Sequence, residues 1–132
     1  MTLPVVEFGL PRPLPVEVTE VTRPFWEGLA AGRFLVPRCA ACQRLSFPPR
    51  RICPACHGRG FDWVAVSGRG RLYAATRVHS SPAVYGILSP IRVAVDDLYE
   101  GIRMVTRLIP DVGDQTPDSP LELVVTRHPD GF

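Results

Sequence analysis

The sequence predicts a mainly β chain: a small closed or nearly closed barrel, preceded by a short helix and a four-cysteine metal site. Three observations carry that prediction. Residues 61–127 break into about five short runs of strand-forming residues, divided by glycine, proline and serine. That pattern suits a small antiparallel barrel better than a parallel sheet. All four cysteines fall within residues 39–56, as two C-x2-C pairs. Only one stretch, 21–34, combines helical spacing with start and stop signals.

A chain of 132 residues is the size of one domain, or of one domain with a small appendage. It can bury roughly two-thirds of its unfolded surface, so a core is possible without staples. An apolar share of 45% with a net charge of +2 indicates a globular protein. No apolar run approaches the ~20 residues that span a bilayer. The opening "MTLPVVEFGLPRPLPVEV" lacks the basic-then-apolar layout of a secretory signal. A cytoplasmic, reducing location is therefore expected, where paired C-x2-C motifs bind metal more often than they form disulfides. The small net charge hides a split: residues 33–77 carry nine arginines and one acid, whereas 96–132 carry eight acids and three arginines. A basic face of that kind suits phosphate groups or an acidic protein surface, or is simply solvated.

The first fifteen residues hold Pro4, Pro11, Pro13 and Pro15, so they are expected to run extended across a surface. In "VTRPFWEGLAAGRF", Thr22 is placed to cap a helix, Pro24 fits its first turn and Gly32 its end. Phe25, Trp26, Leu29 and Ala30 form its apolar stripe, suited to core packing or, through Phe25 and Trp26, to a partner protein. The strands follow. "FDWVAV" (61–66) leads into "GRLYAATRVH" (70–79), where strict alternation puts Leu72, Ala74, Thr76 and Val78 on one face and Arg71, Tyr73, Arg77 and His79 on the other. Gly68 and Gly70 permit a bend or bulge between them. "IRVAVDDL" (91–98) groups Ile91, Val93 and Val95. "IRMVTRLI" (102–109) turns Ile102, Met104, Thr106 and Leu108 inward or is buried on both faces, and "LELVVTR" (121–127) closes the set. Breaks are expected at 80–90, at Gly101 and in the acidic loop 110–120. The chain divides accordingly into an arm with a helix (1–35), a cysteine segment (36–60) and a barrel (61–132).

Two C-x2-C pairs flanking a loop are the spacing of a tetrahedral four-thiolate site, with Cys39, Cys42, Cys53 and Cys56 as ligands to zinc or iron. A full ligand set leaves no open position, which favours structural zinc; spacing alone does not separate the metals. Redox C-x2-C motifs sit in βαβ surroundings that are missing here. His57 is a possible further ligand, better read as a neighbour of the site. The loop between the pairs is stiffened by "FPPRR" and turns Arg50 and Arg51 outward. The sequence contains no G-x-S-x-G elbow, no HExxH helix and no Walker loop. His79, at a strand end, is the one residue with a setting for acid–base work. Covalent catalysis by this chain alone is not expected.

"PFWEGLAAGRFLVPRCAACQRLSFPPRRICPAC", followed by "WVAVSGRGRLYAATRVH", resembles the domain-of-unknown-function thirty-five family, and the likeness runs from about Pro24 to Arg127. That resemblance implies a rubredoxin-like zinc ribbon joined to an OB-fold, with the four cysteines as metal ligands. It further implies a non-catalytic accessory subunit that binds or channels acyl-CoA thioesters beside a thiolase-like enzyme, such as an aldolase of sterol side-chain degradation or an acyltransferase. A heteromeric complex without membrane attachment is then expected. Arg71, Arg77 and His79 become candidates for the acyl-CoA contact, and Phe25 and Trp26 for the partner contact. The rival reading is nucleic-acid binding, which zinc ribbons and OB-folds also perform. Single-strand binding wants aromatic stacking platforms, and Tyr73, Tyr85 and Tyr99 offer few.

Overall fold

The computed structural model describes residues 2–12, 14–80, 82–83, 91–109 and 116–131. The elements in order are β1 (Val5–Glu7), α1 (Arg23–Ala30), β2 (Phe34–Cys39), β3 (Phe61–Val66), β4 (Arg69–Val78), β5 (Ile91–Leu98), β6 (Arg103–Arg107), β7 (Pro120–Glu122) and β8 (Val125–Arg127). Among the described residues no helix is long and apolar enough to cross a membrane.

The opening arm is extended, as its prolines require, and it also forms a strand. Its residues 5–7 contain no proline and pair in parallel with β8, Val5 beside Val125 and Glu7 beside Arg127. Arg12 ties the end of the arm down by an ion pair to Asp130 at 3.0 Å and a hydrogen bond to the Gly131 carbonyl. Phe8 stacks on His128 with ring centroids 5.5 Å apart.

The helix forms within the stretch that the sequence marks, and Gly32 ends it with φ +75° and its N–H on the Leu29 carbonyl. Thr22 stands at the N-cap but makes no side-chain cap. Its hydroxyl instead accepts the Thr19 N–H at 2.9 Å, closing the turn before the helix. Phe25 joins Phe34 and Phe47 in an aromatic cluster, with centroids 5.5–5.8 Å apart. Edge-to-face contacts of this kind add to simple burial. The cluster seats the helix on a core of Leu3, Phe34, Val36, Val66, Leu98, Ile102 and Val125.

Strands β2 and β3 pair antiparallel from Phe34–Val66 to Cys39–Phe61. They form a two-stranded stem that carries the cysteine segment at its far end. A four-stranded sheet in the order β6-β5-β4-β7 makes the half-barrel. The single run expected at 121–127 is divided between β7, on this sheet, and β8, on the arm. Most of the expected break at 80–90 and most of the acidic loop 110–120 fall outside the described residues.

One correction to the strand reading matters for function. The β4–β5 register passes from Leu72↔Asp96 to Ala74↔Val95, so Tyr73 is the extra residue of a β-bulge. Past the bulge every side chain changes face. Ala74, Thr76 and Val78 join the outer face, opposite Val95, Val93 and Ile91, whereas Arg77 turns to the inner face opposite Arg92. Ile91, Val93 and Val95 do lie together, but the buried set of β5 is Arg92, Ala94, Asp96 and Leu98. On β6 the inward reading of Met104 and Thr106 holds, as does that of Ile102 just before it, and Val105 is exposed.

Candidate functional site

The two cysteine pairs fold as near-copies of one turn. Within the first, the Gln43 N–H reaches the Cys39 carbonyl at 2.8 Å and the Cys39 N–H reaches the Arg44 carbonyl at 2.9 Å. Within the second, His57 bonds Cys53 at 2.9 Å and Cys53 bonds Gly58 at 2.8 Å in the same fashion. Gln43 and His57 occupy equivalent positions after each pair and both take positive φ, 67° and 64°. The left-handed turn explains why glycine would suit either position; His57 is exposed and is not among the clustered donors.

These turns bring all four thiol sulfurs within 4.8 Å of one another. Cys39 and Cys56 stand 3.5 Å apart and Cys42 and Cys53 3.6 Å apart, far beyond a disulfide bond of ~2.05 Å. Four sulfurs around zinc at ~2.3 Å would sit ~3.8 Å from each other, so the donor set fits a tetrahedral ion. The backbone prepares it. The Cys56 and Ala55 N–H groups hold Cys53 down at about 6. The Cys42 N–H likewise lowers Cys39. Against the Gly58 N–H, which pulls Cys56 down, the neighbouring Cys39 and Cys42 sulfurs raise it to about 12. Bringing four thiolates together is unfavourable unless a cation lies among them.

A rubredoxin-like zinc ribbon domain of the ChsH2 type matches residues 26–62, and the ChsH2 C-terminal OB-fold domain matches residues 63–126. The chain belongs to the ChsH2 family. Relatives of this ChsH2-type chain include a "Probable enoyl-CoA hydratase alpha subunit" of Thermomonospora curvata, 37% identical over 64% of this chain and 27% of that one. The benzoylsuccinyl-CoA thiolase subunit BbsA of Thauera aromatica is 34% identical, over 67% of this chain and 60% of its own length. The chain therefore spans less than two-thirds of these relatives. Among solved structures, one described as an Ltp2-ChsH2(DUF35) aldolase superposes with a TM-score of 0.66 at 29% identity, covering 82% of this chain and 85% of that one. That description bears the same family designation as the resemblance read from the sequence.

The candidate contact residues do not gather at one place. Arg71 is exposed on the outer face, beside Asp97, whereas the bulge sends Arg77 inward. Six residues of strand put ~20 Å between them, so they cannot grip one phosphate together. His79 is exposed just past β4. Phe25 belongs to the core cluster, and Trp26 packs edge-on against it at 4.9 Å while staying half-exposed. Of the basic loop, Phe47 is drawn into the core. Arg50 and Arg51 are exposed and line an open groove with Arg59, Phe61 and Trp63.

The inward carboxyl of Asp96 was not singled out from the sequence. A signal for it exists: adjacent acids in a strand face opposite ways, so one of Asp96 and Asp97 had to turn inside. Asp97 is the outer one, paired with Arg103 at 2.6 Å, which holds its carboxyl below the usual aspartate pKa. Asp96 is 2% exposed, and burial raises its pKa despite the Thr106 hydroxyl that donates to it. Because the folded state holds this proton more tightly, the stability it contributes is complete below the ordinary aspartate value of ~3.9 and is lost as pH rises through the folded value. Asp96→Asn is therefore expected to raise the melting temperature at neutral pH, with the difference closing towards about pH 4. Paired thermal melts across that range check it; a variant less stable than the parent at neutral pH would contradict the burial account.

Proposed function

We propose that this chain is a non-catalytic accessory subunit that partners a thiolase-like enzyme and binds or channels an acyl-CoA thioester in that complex. In this reading Cys39, Cys42, Cys53 and Cys56 hold a structural zinc, and the ribbon of residues 36–60 is a rigid unit between the arm and the barrel of 61–132. The observation that carries it is the pairing of both family domains, in order, with relatives named as a thiolase subunit and an aldolase complex. Supporting it from the chain itself, the ribbon supplies a closed set of sulfur ligands and no open metal position. The arginines of the ribbon groove suit phosphate or an acidic partner surface. Trp26 is offered at the partner contact, and Arg77 with His79 near the ligand; Arg71 faces away from Arg77.

The rival nucleic-acid reading has less support. Tyr73 and Tyr99 are exposed, but the Arg103 guanidinium covers the Tyr73 ring at 3.8 Å, and Tyr85 lies outside the described residues. A tagged chain purified from its own host is expected to carry a thiolase-fold enzyme in stoichiometric amount and no RNA or DNA at moderate salt. Recovery of nucleic acid without such an enzyme would reverse the assignment.

A further inference from the structure

Between the helix and the inner face of the half-barrel lies a cavity of about 270 Å³, near the lower end of the range for small-molecule sites. Its walls are mainly apolar, with Leu3, Phe25, Leu29, Met104 and Leu123 contributing. One part of the wall is different. Asp96 and Thr106 both line it; the Thr106 hydroxyl donates to Asp96 Oδ2, and Oδ1 has no hydrogen-bond partner among the described residues. The fold does not require a carboxyl there. The residues directly across the sheet from Asp96 are Leu72 and Met104, so an apolar side chain would pack with both neighbours. A buried oxygen without a partner is unfavourable and rare in folded proteins.

We propose that this cavity binds an uncharged, mainly apolar molecule carrying one carbonyl or hydroxyl oxygen, held by a hydrogen bond to the Asp96 carboxyl. Burial favours the protonated acid. With Oδ2 already accepting from Thr106, the proton belongs on Oδ1, which then donates to the ligand oxygen. The charged residues of the lining, Arg107 and Glu122, are of opposite sign, and the Arg107 guanidinium is placed over the Phe8 ring at 4.9 Å. The site therefore selects a neutral oxygen function over a carboxylate. In the accessory role proposed above the occupant is the acyl part of the thioester, but the inference stands on the cavity alone and is tested on this chain without a partner.

The test uses three small probes of similar shape on the zinc-loaded chain: acetophenone, ethylbenzene and benzoate. Met1 and Met104 are the two methionines of the sequence, so methyl-labelled methionine gives a simple spectrum in which Met104 reports the cavity wall. Acetophenone is expected to shift the Met104 methyl and to bind about tenfold more tightly than ethylbenzene, the effect of one hydrogen bond. In Asp96→Leu that preference should vanish, while ethylbenzene still binds. The proposal is overturned if no probe moves Met104, if ethylbenzene matches acetophenone on the parent chain, or if benzoate binds best. The parent-chain comparison decides even if the variant does not fold. A negative result here leaves the partner-enzyme experiment untouched, and the reverse also holds.

Discussion

Removing the bound metal with a strong chelator is expected to unfold the ribbon and sharply lower the stability of the whole chain. Little else holds residues 40–60 together: most are exposed, and their buried points are Ser46, Cys53 and, at the end of β2, Cys39. The two turns are stitched by backbone hydrogen bonds that close only five or six residues each, too little to offset the entropy of ordering the segment. Structural zinc contributes an apparent ~10–16 kcal/mol in small zinc-finger peptides, as much as the entire stability of an ordinary domain, ~5–15 kcal/mol. The damage should not stop at the ribbon, because Leu45 and Phe47 from the loop between the pairs pack against the core. Cys53→Ser should act in the same direction, with metal content falling below one ion per chain and the melting temperature dropping by at least about 10 °C. Elemental analysis with thermal melts checks both. A colourless protein with one zinc is expected; a coloured ferric thiolate spectrum would move the assignment to iron.

Gly70→Ala should be the most damaging single methyl in the barrel. Gly70 is buried in β4, between Leu98 of β5 and Leu121 of β7. An added Cβ would stand 2.2 Å from the Asp97 carbonyl oxygen and 2.8 Å from the Leu98 Cα. Both obstacles are backbone, so no side chain can swing aside; β4 and β5 would have to separate where β7 also joins them. Overpacking of this severity costs about 3 kcal/mol, read as a loss of roughly 10 °C in melting temperature. Gly9→Ala is the control: its Cβ meets nothing within 4 Å and its backbone is unstrained, so its melting temperature should stay near that of the parent. If the two variants melt together, the close approach of β4 and β5 at Gly70 is not real.

What could be read from the sequence depended on how local its cause was. The cysteine spacing, the Gly32 stop and the strands at 61–66 and 91–98 rest on short-range chemistry, and they are where the residues put them; the run read at 102–109 forms a strand over its middle, Arg103–Arg107. The helix start was legible but its cap was not, because Thr22 had a nearer partner in Thr19. The bulge at Tyr73 was hidden for a physical reason. Ala74, Ala75 and Thr76 are small and tolerate either face, so the pattern past Leu72 holds no information about a one-residue slip. That slip puts Arg71 and Arg77 on opposite faces of the sheet, where strict alternation had them on one. Strand β1 was obscured by its flanking prolines, since it exists only because β8 offers a free edge beside it. The cavity needed the helix, arm and half-barrel assembled before Asp96 could be seen as its polar wall.

Co-expression with a thiolase-like enzyme from the same host, followed by gel filtration and an assay of acyl-CoA turnover, tests the accessory-subunit account most directly. The account predicts one stable hetero-oligomer in which neither chain alone has appreciable activity and the two together do. A thiolase-like enzyme that is soluble and fully active without this chain would contradict it.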